Sequence, residues 1–270
     1  MRVRIVDYDP PFVRIVVEDA NPSYANALRR ALLSEVPVMA VDEVIFYANT
    51  TAFLDEEIAH RLAMVPIRTD LKTYSIGDGA VVTLKLDRTA SEDVEVVYAG
   101  ELEPSDPVIV PVRPKIPLVK MAKGDRLRFD AIVRMGKGKW HAKWQAVSGL
   151  GYSYYPIYSL APEAAERCAD ALRSCPEGAV EREEDGSVIV RDYLSCRGLE
   201  GCIDEIRRER PELVRVVEWD DTRFIIKFES TGALTVPEIL RAAVDELLKK
   251  FDRFEQELKA AVEGSARAVR

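Results

Sequence analysis

Along RVRIVDYDPPFVRIVVED the side chains alternate between apolar and polar, the two-residue period of a half-buried strand, and Pro10 and Pro11 interrupt it. The pattern predicts two short strands joined by a turn. The period then changes. Asn21 offers an N-cap, Pro22 stands where a first-turn proline forfeits no hydrogen bond, and Ala25, Leu28, Leu32 and Leu33 recur at helical spacing until Pro37 stops the run. VMAVDEVIFYANT has strand character, and DEEIAHRLAMV from Asp55 predicts a short helix whose acidic first turn suits the helix dipole. Between about Ile67 and Tyr155 the apolar runs are short and β-rich, as in AVVTLKLDR and DRLRFDAIVRM, and are broken by the proline-dense VIVPVRPKIPLV. That stretch predicts a separate, mostly β unit. TRFIIKFESTG returns to alternation, and a long helix is expected from Val236.

The last helix carries the clearest partner signal in the spacing. Leu240, Val244, Leu247, Phe251, Phe254, Leu258 and Ala261 follow one another at alternating steps of four and three, a stripe sustained over three heptads. Such a face packs either on the chain's own sheet or on a helix of another molecule, and large Phe residues on a strict seam fit the second outcome.

Charge and composition narrow the function classes. The chain has 38 Lys and Arg against 46 Asp and Glu, a net charge of −8, with no basic stripe, so direct specific nucleic-acid binding is not expected. No window approaches the ~20 uncharged apolar residues of a membrane span. The N-terminal residues lack the apolar core of a signal peptide, and a cytoplasmic location is expected. In that compartment, four cysteines confined to Cys168, Cys175, Cys196 and Cys202 read first as metal or redox ligands. Bacterial-type ferredoxins use C-x2-C-x2-C-x3-C-P, with the fourth cysteine serving the other cluster of a pair. Cys175-Pro176 fits the end of such a run, and a second run starting at Cys196 includes Leu199, Cys202 and Ile206. This cross-ligation places Cys175, Cys196 and Cys202 on one cluster, with Leu199 where a fourth thiolate would stand. Three thiolates suit a [3Fe–4S] cluster. Disulfides, either Cys168–Cys175 or Cys196–Cys202, and a four-cysteine zinc site remain as alternatives, the gaps being poor for zinc.

Three further stretches belong together. NALRRALLSEVP, DEEIAHRLAMVPI and GKGKWHAKWQAV, the last at Gly136 to Val147, resemble the family of D-type subunits of archaeal DNA-directed RNA polymerase. Its relatives are the N-terminal domain of the bacterial α subunit and the eukaryotic third subunit. The resemblance implies an α+β fold of the α-N-terminal-domain type. A dimerisation domain in two parts, residues 1–48 and 219–270, would be interrupted by a β-rich insert domain (49–160) and a ferredoxin-like, cysteine-bearing insert (161–218). It further implies a non-catalytic assembly platform. Such a subunit pairs with subunit L, works beside subunits N and P, and supports the large catalytic subunits, where the polymerase chemistry resides. Leu240, Val244, Leu247, Phe251, Phe254 and Leu258 become candidate interface residues. The alternative is a ferredoxin-like electron-transfer protein, for which a dinucleotide fingerprint and a second intact cluster are missing.

Overall fold

The structure is a computed structural model that describes the backbone of residues 1–268 and the side chains of 1–262. In chain order its elements are β1 (Arg2–Asp9), β2 (Phe12–Glu18), α1 (Pro22–Ser34), β3 (Pro37–Asn49), α2 (Asp55–Ala63), β4 (Val82–Thr89), β5 (Val94–Tyr98), β6 (Glu103–Pro104), β7 (Pro117–Ala122), β8 (Arg126–Lys137) and β9 (Val147–Leu160). They continue with α3 (Pro162–Arg167), α4 (Ala169–Arg173), β10 (Val180–Arg182), β11 (Val188–Val190), α5 (Leu199–Glu209), β12 (Val214–Ser230) and α6 (Val236–Ala268). The fold is mixed α+β. It divides into two compact units, one of residues 1–8, 14–26 and 151–227, the other of residues 9–13, 27–150 and 228–270.

The first unit is organised by a six-stranded sheet in the order β1-β2-β12-β9-β11-β10. Alternation made the first two strands legible: β1 and β2 flank the turn at Pro10 and Pro11 as the period-two pattern predicts. The segment between β9 and β12 supplies α3, α4, a β10/β11 hairpin and α5. The hairpin joins the sheet by pairing Val190 with Tyr158 and Val188 with Leu160. One face of the sheet, with Val16, Tyr155 and Ile225, packs directly on Cys168, Leu172, Tyr193, Leu199, Ile203 and Ile206, so that the cysteine segment and the sheet share one core. At the start of α1, Asn21 Oδ1 accepts the Tyr24 backbone N–H at 2.8 Å, the cap that its position predicts.

The second unit holds a four-stranded sheet, β3-β8-β4-β6, and a β5-β7 ribbon. The β3/β8 pair runs antiparallel from Pro37 opposite Lys137 to Asn49 opposite Leu127, with two register shifts on the way. Helix α2 lays Ile58 and Leu62 on the core built by Val82, Leu84, Val97, Leu118, Phe129 and Val133. Two glycines record close approaches. A Cβ on Gly136 would collide with the indole of Trp144, and one on Gly138 with the Leu33 carbonyl.

Candidate assembly interface

Helix α6 changes character along its length. Its first turns bury Val236, Ile239, Ala242 and Ala243 in the second unit, and Glu246 is the last buried side chain among its described residues. From Leu248 to Val262 every residue is exposed. Of the expected stripe, Leu240 and Leu247 are half-buried, whereas Val244, Phe251, Phe254 and Leu258 are exposed, with Phe251 and Phe254 69% and 66% open to solvent. Leu248 and Val262, exposed as well, widen the seam on one side. Contiguous apolar surface of this kind is kept in a soluble chain for a partner to cover. Spacing alone does not reveal Leu248 and Val262, because they lie one position off the four-three rhythm.

A charged cluster fixes the base of that free half. Glu35, at the end of α1, accepts hydrogen bonds from Lys250 at 2.6 Å, Lys139 at 3.2 Å and Lys137 at 3.4 Å. Lys137 also binds Glu246, whose second oxygen takes Lys249 at 2.8 Å. Burial works against charge on both carboxylates, yet the lysines outweigh it. Hydrogen bonds from Lys250 and Lys139 on Glu35, and from Lys137 and Lys249 on Glu246, hold both pKa values below the ordinary Glu range. The cluster locks α1, β8 and α6 together where the apolar packing of α6 ends.

Two cationic side chains in DEEIAHRLAMVPI and GKGKWHAKWQAV are engaged within the chain. Arg61 donates to the Leu118 carbonyl at 2.9 Å and lies over Phe53. Lys143 binds Asp42 at 2.7 Å and covers the Trp144 ring, whose Nε1–H donates to the Arg134 carbonyl.

The cysteines meet in a pairing that neither disulfide alternative foresaw. Cys168 bonds Cys202, and Cys175 bonds Cys196, with Cα separations of 5.9 and 4.3 Å. Each bridge ties the α3–α4 segment to α5 or the turn leading into it. Cys168 sits at the break between α3 and α4, and Gly198, at φ 78°, turns the chain so that α5 folds back with Cys202 toward that break. Leu199, placed by spacing at a vacant ligand position, is instead a fully buried core residue of α5. Iron–sulfur ligation needs thiolates. A [3Fe–4S] cluster on Cys175, Cys196 and Cys202 would need those sulfurs as free thiolates, whereas in this structure all four sulfurs lie in S–S bonds. Among the described residues no group of three or more His, Cys, Asp or Glu side chains is arranged to hold a metal ion.

Comparisons with known proteins identify the family of the chain. A family model described as the RNA polymerase Rpb3/Rpb11 dimerisation domain matches residues 14–251, most of the chain. The chain belongs to the Rpb3/Rpb11 dimerisation family. Within that family it is 36% identical to the DNA-directed RNA polymerase subunit Rpo3 of Pyrococcus furiosus, covering 96% of this chain and 97% of that protein. The Rpo3 of Thermococcus kodakarensis is 37% identical over 94% of this chain and 96% of its own length. That of Archaeoglobus fulgidus is 33% identical, with 88% and 90% covered. The family resemblance carried by NALRRALLSEVP, DEEIAHRLAMVPI and GKGKWHAKWQAV is therefore borne out. Among the described residues no helix is long and apolar enough to cross a membrane.

Proposed function

We propose that this chain is a non-catalytic assembly platform of an archaeal DNA-dependent RNA polymerase, in which α6 pairs with a small subunit of type L and the resulting heterodimer recruits subunits N and P and the large catalytic subunits. One observation carries the pairing: among the described residues, the second half of α6 exposes Phe251, Phe254 and Leu258 to solvent. Most of the stability of an amphipathic helix in a protein comes from packing its apolar face. Dimerisation-family membership and near-full-length similarity to Rpo3 proteins support the same reading.

The segment from Ala161 to Leu213 is a ferredoxin-like accessory insert in this reading. Its helices and hairpin are held to the main sheet by a shared core, and two disulfides tie the α3–α4 segment to α5 and the turn before it, where the cluster that the cysteine spacing resembles would take their place. Electron transfer as the chain's main role would need that cluster. The test of the platform is co-expression with subunit L. A stable one-to-one heterodimer is expected, and this chain produced without L should self-associate through the free Phe-bearing face. A monomeric, well-behaved chain that ignores L would overturn the proposal.

A further inference from the structure

A second uncovered surface lies in the first unit, on the sheet. Trp219 of β12 is 55% exposed and Tyr154 of β9, the neighbouring strand, 37%. Together with Pro22, Ser153 and Asp221 they line an open shelf of about 480 Å³. Exposure of one large apolar side chain is ordinary, but an indole and a phenol lining the same recess form a platform. The Tyr154 ring is steadied from behind by the buried Phe224, with centroids 5.4 Å apart. Asp221 is the charged liner of the shelf, and among the described residues it enters no salt bridge. The neighbouring Asp220, by contrast, is engaged by Thr222 and by Arg223 at 2.6 Å. The shelf thus offers two aromatic faces and one uncommitted carboxylate.

We propose that this shelf receives an arginine side chain from another subunit of the polymerase, a contact separate from the α6 seam and resting on the platform reading. A guanidinium is flat enough to stack on an indole or phenol and can at the same time give paired hydrogen bonds to a carboxylate. The other macromolecular occupant of an aromatic platform, a stacked nucleic-acid base, brings phosphates that Asp221 and the adjacent Glu218 would repel. A free small molecule calls for a deeper, more enclosed site than an open shelf. Aromatic and arginine residues are also the side chains that dominate protein–protein contact energies, and a stacked pair of this type excludes water from its own charge contact.

The test uses polymerase reconstituted with this chain. With Trp219 replaced by the photoreactive p-benzoylphenylalanine, illumination should give one cross-link to another subunit, mapping beside an arginine. In competition for a limiting pool of large subunits, Asp221→Arg should be incorporated about tenfold less than the unaltered chain. Asp221→Asn and Trp219→Ala should show smaller losses, and all should pair normally with L. A cross-link to nucleic acid, a cross-link to a segment without arginine, or none at all would overturn the proposal, as would normal incorporation of Asp221→Arg. If the variants lose pairing with L as well, the shelf is not a separate contact and the proposal fails. If the unaltered chain itself does not pair with L, the platform reading falls first and takes this one with it.

Discussion

Replacing Phe251 and Phe254 together by alanine isolates the interface without disturbing the chain that carries it. Both rings are about two-thirds exposed and pack on nothing described in the molecule. A phenyl side chain presents ~200 Å² of surface. At ~25 cal/mol per Å², covering the open part of each ring is worth ~3 kcal/mol if complete and ~2 kcal/mol for a ring at the edge of a seam. The pair therefore contributes ~4 kcal/mol, which is about a thousandfold in the dissociation constant. Alanine is the best helix former, so α6 keeps its helicity. The isolated variant should melt within ~0.5 kcal/mol of the unaltered chain. Titration calorimetry or analytical ultracentrifugation with subunit L measures the loss, and circular dichroism checks the fold. If the double variant binds L within tenfold of the unaltered chain, the free half of α6 is not the seam. If it instead unfolds, those rings have a role within the chain that their exposure does not account for.

Three further outcomes follow from the same contacts. The chain prepared under native conditions should weigh four hydrogens less than its fully reduced form, and Cys168→Ser with Cys202→Ser should weaken the insert by ~3–4 kcal/mol, seen as protease cleavage between Ala161 and Leu213; stoichiometric iron and sulfide in anaerobic preparations would refute the bridged state. Glu35 and Glu246 have pKa values lowered by folding, so their contribution is full above the unfolded value of ~4.3 and is lost as pH falls through the depressed folded values. Thermal stability should fall in that acid window, and Glu246→Gln should flatten the fall; an unchanged acid limb would show that the cluster does not act through these carboxylates. Gly136→Ala should destabilise the second unit by ~1–3 kcal/mol in chemical denaturation, because the added methyl meets the Trp144 ring.

Local signals were legible where local physics decides them. Asn21 caps α1 because a side-chain oxygen three residues from an orphan N–H needs no distant help. The α6 stripe was readable for a similar reason: a repeat of four and three places residues on one face whatever surrounds the helix. What surrounds it was not readable. Burial of Ala242 and Ala243 against exposure of Leu248 depends on where the second unit stops covering the helix. The Glu35–Lys250 contact joins positions 215 apart in sequence and leaves no periodic trace. The cysteines show the limit most plainly. Spacing counted along the chain groups Cys175, Cys196 and Cys202, whereas the folded path brings Cys168 to Cys202 and Cys175 to Cys196. Long-range polar partners and thiol pairing are properties of the folded path.

The attachment of the segment between β9 and β12 has an evolutionary consequence. The segment leaves β9 and returns into β12, adjacent strands of one sheet, and at its base the Ala161 N–H donates to the Leu213 carbonyl at 2.9 Å. The two ends of the excursion are therefore already neighbours in the parent sheet. Growth or loss of sequence at this point leaves the parent strand order unchanged, since closing a loop between residues that the sheet itself holds together carries only a slowly rising entropic penalty with length. A short turn from β9 to β12 would satisfy the same sheet. The segment can thus acquire or discard helices, a hairpin or thiol chemistry on a timescale of its own, while α6, the proposed partner helix, remains under separate selection.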